Sequence, residues 1–222
     1  MSVEASTIRL LGVAVLFVFF ASLASEQLFT STAGTGGISS MMENIASNAA
    51  TVRASSLVAL LNSLGIVALA CLFYSVFREQ YRLLALIALG LWLAEAVVLA
   101  LSKIGSYALI PLSQEFVAAG APEASHFQPL GRVLYFGFDR RGYDLHMAFF
   151  CLGGMLWYYL LFASRAIPAP LSLRGFISVG LLGILTLAGL YGDSLKPLLV
   201  LGLLYEPYEL VLGIRLVFKG FG

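Results

Sequence analysis

Long apolar stretches alternate with short polar segments along most of the chain. Six stretches come close to or exceed the roughly 20 residues that a helix needs to cross a bilayer. They occupy residues 8–29, 54–77, 83–110, 143–164, 175–191 and 198–218. A segment in hydrocarbon must satisfy its own backbone hydrogen bonds, so we interpret each stretch as a helix. The pattern predicts an all-α integral membrane bundle of about six transmembrane helices, with residues 1–222 forming a single transmembrane domain.

The segment after the first span has a different pattern. Residues 30–40 are rich in Ser, Thr and Gly, which predicts a loop. Residues 38–52 then place four apolar side chains on one side, as in a short interfacial helix. These side chains are Met41, Met42, Ile45 and Ala49. Such a helix would act as a lid or as a simple linker, and the sequence favours neither.

Residues 111–142 form the other long interruption. Pro111, Pro122 and Pro129 lie within it, and proline breaks the helical hydrogen-bond pattern. We therefore predict the longest loop of the chain here, with a short helix at residues 114–119 as an option. Long loops of this kind often carry function or partner contacts.

The first span allows a second interpretation. Ala21, Ser22 and Ala24 near its end are small residues of the kind that signal peptidase recognises, so a cleaved signal peptide is the rival. We expect the segment to be retained as a transmembrane helix.

The composition agrees with a membrane environment. Hydrophobic residues make up 60% of the chain and charged residues 11%, with a mean hydropathy of +0.93. In soluble domains, roughly a quarter of the residues are charged. The net charge of +1 and the absence of a basic run give no reason to expect nucleic acid as a partner. The expected partners are the lipid bilayer and, as an open alternative, other membrane subunits.

Cysteine and histidine usage argues against two kinds of chemistry. Cys71 and Cys151 lie in apolar spans at different depths, so no disulfide is expected. A nucleophilic pair of Cys151 with His146 is also not expected, because a thiol in apolar surroundings stays protonated and inert. His126 and His146 are the two histidines of the chain, too few for a typical catalytic zinc site. No cofactor is indicated.

Basic residues indicate the orientation. Seven of them would lie on the side of the termini if all six spans cross, and cytoplasmic loops are enriched in Lys and Arg. We therefore expect both termini in the cytoplasm. These residues are Arg9, Arg78, Arg82, Arg165, Arg174, Arg215 and Lys219.

A charged cluster at residues 139–146 runs directly into the fourth span. Ionisable groups at this position need solvent or partners, because an ionisable group in hydrocarbon is costly. Other spans contain polar residues that can be interpreted as those partners. At about 1.5 Å per residue, all five fall in the outer half of the bilayer or near its midplane. They are Asn62, Glu95, His146, Glu206 and Glu209.

Two helical faces are predicted to meet at these residues. Glu206 and Glu209 share a face with Gly202 and Gly213, and Pro207 would free the carbonyl of Leu203 from its helical bond. The fourth span carries a stripe on one side, formed by His146, Phe150, Gly153 and Trp157.

We predict an outward-opening polar pocket with Glu95, His146 and Glu209 within about one water of each other or of the nearby arginines. A purely structural role for these acids is the alternative, since protonated or paired acids also hold bundles together. The predicted ligand-binding residues are Glu95, His146, Glu206, Glu209, Asn62 and Asp144, with Arg53, Lys103, Arg140 and Arg141 around the mouth. Trp157, Tyr158 and Tyr159 are predicted to form an interfacial aromatic belt.

The turn after the fourth span carries a resemblance. Its Ser-x-x-x-Pro-x-x-Leu-x-x-x-Gly pattern, from Ser164 to Gly175, is similar to that of a bacterial family of small multi-pass proteins catalogued only as a domain of unknown function. The similarity also includes an Arg-Leu-Leu-Gly start, one basic residue, three span residues and a Lys-Gly end. These are Arg9 to Gly12, Arg53, Glu95, His146, Glu209 and Lys219-Gly220.

The resemblance implies a six-span protein of the bacterial inner membrane and supplies no activity. Members often have an arginine shortly before the acid of the third span, where this chain has Trp92, so Glu95 lacks that partner.

Three classes of function remain open. The leading hypothesis is a non-enzymatic membrane protein whose outward-facing pocket binds a small ligand, lipid or ion, or an accessory subunit of a larger membrane complex. An intramembrane hydrolase would use His146 with Glu95, Glu206 or Glu209 as metal ligands or as acid and base. A proton-coupled transporter would use the Glu206/Glu209 pair as its relay, although no internal repeat is visible.

Overall fold

The computed structural model describes residues 4–123, 125–192 and 205–222. Within these ranges the chain is mainly helical and contains no strand. The α-helices are α1 (Ala5–Ala33), α2 (Ile38–Ser47), α3 (Ala49–Ala118), α4 (Phe127–Arg132), α5 (Arg141–Ala163), α6 (Ala169–Tyr191) and α7 (Glu206–Phe218). A π-helical segment, Val133–Arg140, joins α4 to α5. The prediction of an all-α fold is confirmed.

In the described part of the chain, four helical segments are long and apolar enough to cross a membrane. They are Ala5–Ala33, Ala49–Ala118, Phe127–Ala163 and Ala169–Tyr191. The first, fourth and fifth predicted spans correspond to three of them. Of the sixth, residues 198–204 lie outside the described residues, and α7 accounts for the rest.

The second and third predicted spans both lie in α3, which reverses direction at Tyr81. Tyr81 has the non-helical angles φ −132° and ψ 45°. Phe73 and Trp92, 19 residues apart in the sequence, have ring centroids 5.7 Å apart. In a straight helix they would be separated by roughly 28 Å. The chain therefore turns back at Tyr81, and α3 comprises two spans as predicted.

The predicted long loop at residues 111–142 is wrong. Helix α3 continues through Pro111 to Ala118, and α4 with the π-helical segment covers residues 127–140. Pro129 lies in the first turn of α4, where its missing N–H leaves no helical bond unmade. Gly120, with φ +82°, ends α3 in a position that favours glycine, and Ala121 N–H donates to the Phe116 carbonyl at 3.0 Å.

Contacts group the chain into two compact units. The first comprises the described parts of Met1–Phe19, Leu64–Val97 and Asp144–Gly222, and the second comprises Phe20–Ser63 and Val98–Tyr143. In the first unit, Trp157 stacks on Phe73 with centroids 5.1 Å apart. In the second, the buried face of α2 packs against the end of α3, so α2 is a docked helix. That core includes Ile38, Met41, Met42, Ile45, Leu109, Ile110 and Phe116.

Candidate functional site

The predicted stripe on α5 faces the interior of the first unit. His146 and Gly153 are buried, and Trp157 is fully buried. Trp157 and Tyr158 are 0% and 2% exposed, whereas Tyr159 is 45% exposed. The predicted aromatic belt is therefore wrong for Trp157 and Tyr158, which are core residues. The reason is that α5 packs this face against α3 and α7, and the sequence does not show which aromatic face is covered.

Trp92 of α3 docks onto α5. Its indole N–H donates to the Phe150 carbonyl at 3.1 Å, and the two rings stack with centroids 6.1 Å apart. A Cβ atom at Gly153 would overlap the indole ring, so glycine is needed there. Trp92 thus contributes packing and one hydrogen bond, and it offers Glu95 no charge.

Glu95 lies one turn beyond Trp92 and is 3% exposed. Its Oε2 atom has no hydrogen-bond partner among the described residues. Glu209 of α7 is close enough to act on it electrostatically, and Glu95 in turn acts on the Cys151 thiol. The structure therefore brings two of the predicted site residues, Glu95 and Glu209, together from different helices.

Three tyrosines lie near Glu209, and none of them was predicted as a site residue. Glu209 acts electrostatically on Tyr158, Tyr205 and Tyr208. The hydroxyls of Tyr158 and Tyr205 share a hydrogen bond. Within the described residues, the Tyr208 hydroxyl and the Trp157 indole N–H are buried without a partner. A buried polar group without a partner costs about 1–3 kcal/mol.

Helix α7 begins at Glu206, and Pro207 lies in its first turn, where proline is well tolerated. The helical bond that Pro207 was predicted to remove would end at the Leu203 carbonyl. Gly202, Leu203 and the side chain of Glu206 lie outside the described residues. Gly213 does let a neighbour approach as predicted, because a Cβ atom there would lie 2.7 Å from Leu16 of α1.

Arg140, predicted at the mouth of the pocket, forms a charged network in the second unit. Its guanidinium contacts Glu26 Oε1 at 2.7 Å and Asp139 Oδ1 at 3.8 Å, and its Nε donates to the Tyr135 hydroxyl at 3.1 Å. Lys103 contacts Asp139 Oδ2 at 3.2 Å, and Asp139 is 1% exposed. Sequence reasoning missed Glu26, because no local pattern links it to a residue 114 positions away.

The remaining predicted residues have different surroundings. Arg53 is exposed, and Asn62 is 3% exposed with no partner for its Oδ1 atom in the described parts of the chain. Asp144 and Arg141 are partly buried. No group of three or more His, Cys, Asp or Glu side chains within the described ranges is arranged to hold a metal ion.

The apolar helices, with the acids Glu95 and Glu209 among them, define an all-α membrane protein. Residues 10–220 match the family described as "Domain of unknown function (DUF4386)". The chain belongs to that family, and the expected membership in a family of unknown function is confirmed. No curated protein and no solved structure matches the chain.

Proposed function

We propose that this membrane protein is non-enzymatic and binds a small positively charged ligand, a proton or an ammonium-type cation, between Glu95 and Glu209. One observation carries the proposal. Glu95 is 3% exposed, has an oxygen without a hydrogen-bond partner among the described residues, and lies within electrostatic range of Glu209.

The charges of the pair support a positive occupant. Two ionised carboxylates close together repel each other, and the buried Glu95 has an oxygen without a partner among the described residues, which is costly. A proton or a cation at Glu95 removes both penalties. The aromatic rings around the acids would add cation–π attraction for an ammonium group.

The chain topology supports access from the outer side. Glu95 lies 13 residues beyond Arg82, or about 20 Å along the helix. If the reversal of α3 at Tyr81, beside Arg78 and Arg82, lies in the cytoplasm, this depth is past the midplane of a core about 30 Å thick. The pair would then open outward, with both termini inside. In a bacterium the outer side is the periplasm.

Two other functions use the same residues. A proton-coupled transporter would use Glu95 and Glu209 as its relay, and their proximity favours this candidate over the hydrolase, for which His146 would have to join them. An accessory subunit would need no ligand at all.

Thermal unfolding in detergent tests cation binding. A ligand that binds the native state stabilises it by about 2.7 kcal/mol at a hundred times its dissociation constant. We expect alkylammonium chlorides to raise the melting temperature of the wild type above that in sodium chloride of equal ionic strength. Glu95→Gln should abolish the response, and Glu43→Gln, at an exposed acid on α2, should keep it. Equal responses of wild type and Glu95→Gln would exclude this site.

A further inference from the structure

Four segments of the first unit converge at one end. The Phe221 and Phe77 rings lie 6.4 Å apart, and Gly222 N–H donates to the Ala166 carbonyl at 3.0 Å. A Cβ atom at Gly220 would contact Ile8 at 4.0 Å. The start of α1, the reversal of α3, the turn between α5 and α6 and the segment after α7 therefore meet here.

Each converging segment brings positive charge. Arg9 follows Ile8, Arg78 follows Phe77, Arg165 precedes Ala166, and Lys219 precedes Gly220. Arg78 pairs with Glu79 at 3.2 Å. Arg9, Arg165 and Lys219 have no ion pair with any described residue. This end of the unit thus carries three basic side chains that have no ion pair with a described residue.

An open groove of about 550 Å³ lies at this end. Among the described residues that line it, Arg165 is the charged one, and the others are apolar or glycine. They are Phe162, Ala163, Ile167, Pro168, Ala169 and Gly222. The guanidinium of Arg165 lies beside an apolar wall. This arrangement is complementary to an amphipathic ligand with an anionic head group.

The backbone at Arg165 strengthens the assignment. Arg165 has φ +55°, a left-handed conformation that costs a non-glycine residue roughly 1–2 kcal/mol. It ends α5 as glycine commonly does, with Ala166 N–H donating to the Leu161 carbonyl at 3.2 Å. Glycine at this position would give a more stable fold. A binding role for Arg165 would explain why an arginine occupies it despite the strained backbone.

We propose that this groove binds the phosphodiester headgroup of an anionic phospholipid. Arg165 contacts the phosphate with its planar fork of N–H donors, and the apolar wall formed by Phe162, Ile167 and Pro168 takes the first part of an acyl chain. Arg215 lies beside the groove. Its side chain donates to the Gly222 carbonyl, and its buried Nε has no partner among the described residues. The proposal does not rest on the Glu95/Glu209 site.

Lipid retention measured by native mass spectrometry tests the proposal. The full chain is exchanged into detergent with equal amounts of phosphatidylglycerol and phosphatidylcholine of the same acyl chains. We expect wild type to retain phosphatidylglycerol preferentially. Arg165→Gly, which suits the positive φ and should fold, should weaken that retention about fivefold, the contribution of one basic residue near a membrane surface. Arg165→Lys should retain less phosphatidylglycerol than the wild type and more than Arg165→Gly, because lysine keeps the positive charge but lacks the planar fork.

Two further variants separate the groove from general surface charge. Ala169→Trp keeps Arg165 but fills the groove, and it should also lose the preference. Arg132→Gln removes an exposed arginine without an ion pair from the described part of the second unit, and it should keep the preference. Unchanged retention in Arg165→Gly, or an equal loss in Arg132→Gln, would overturn the proposal. Complete displacement of the lipid by inorganic phosphate would overturn the assignment of a phospholipid and indicate a free anion as the ligand of the groove.

Discussion

Arg165 has a backbone conformation that is unfavourable for stability at a position to which we assign a binding role. Its φ of +55° suits glycine better than arginine. We predict that Arg165→Gly stabilises the protein by about 1 kcal/mol, part of the left-handed penalty being offset by the greater freedom of glycine in the unfolded chain. The melting temperature in a lipid-free zwitterionic detergent measures this. A lower melting temperature would mean that the side chain of Arg165 contributes contacts that outweigh the strain.

Asp139 is the most deeply buried charge of the network in the second unit. It is 1% exposed and contacts Lys103 at 3.2 Å. Asp139→Ala should lower the free energy of unfolding by about 3–5 kcal/mol, because it leaves a buried lysine uncompensated. The double variant Lys103→Met/Asp139→Leu should recover most of the loss. Glu79→Gln, in the exposed pair with Arg78, should change stability little.

If Asp139→Ala unfolds like the wild type, the network is solvated and contributes no stability. Chemical unfolding in mixed micelles of a denaturing and a mild detergent gives the comparison for all four proteins.

At the scale of single residues, the sequence identifies which residues are unusual but not which residues they contact. The buried position of Glu95 follows from its place in an apolar span, whereas the sequence places His146 near the mouth of its span and does not predict its burial. The Arg140–Glu26 pair, the docking of Trp92 on Gly153 and the tyrosines around Glu209 depend on how helices distant in sequence pack, and no spacing rule links such residues.

Among the elements, the spans were predictable and the segment at residues 111–142 was not. A run of apolar residues about 20 long has one stable form in a bilayer, so length and composition suffice. Proline is less informative, because its effect depends on its position in a helix. Pro129 and Pro207 lie in first turns, and Pro111 is carried within α3.

The contact between α1 and α7 depends on two glycines. A Cβ atom at Gly213 would lie 2.7 Å from Leu16, and one at Gly12 would lie 2.7 Å from the Val217 nitrogen. Gly213→Ala should destabilise the protein by about 1–3 kcal/mol through overpacking. Gly90→Ala is the matched control, since a Cβ atom there meets nothing within 4 Å. The two melting temperatures should move in opposite directions, because alanine favours a helix over glycine by about 1 kcal/mol.

The same outcome for both alanine variants would show that helix propensity, and not the close approach of α1 and α7, determines the effect.

For the whole molecule, the distribution of charge predicts an orientation. The basic residues that the sequence places on the side of the termini include Arg9, Arg78, Arg165 and Lys219, which lie at the converging end of the first unit. The number of spans alone predicts that these residues lie on one side. We expect Gln80→Cys, at the reversal of α3, to face the cytoplasm and Glu123→Cys, after α3, to face outward. Both are made in a Cys71→Ser/Cys151→Ala background.

A membrane-impermeant maleimide added to intact cells should label Glu123→Cys and should reach Gln80→Cys only after lysis. The reverse pattern would invert the topology and place the Glu95/Glu209 pair nearer the cytoplasmic face.

Infrared difference spectroscopy of the carboxyl region is the most direct test of a positively charged occupant at Glu95 and Glu209. Spectra of the wild type with and without an alkylammonium salt, at constant pH and ionic strength, are compared with those of Glu95→Gln. If the cation displaces a shared proton, the wild type should lose a protonated-carboxyl band on binding and Glu95→Gln should show no such change. Identical difference spectra for the two proteins would contradict the assignment of this pair as the binding site.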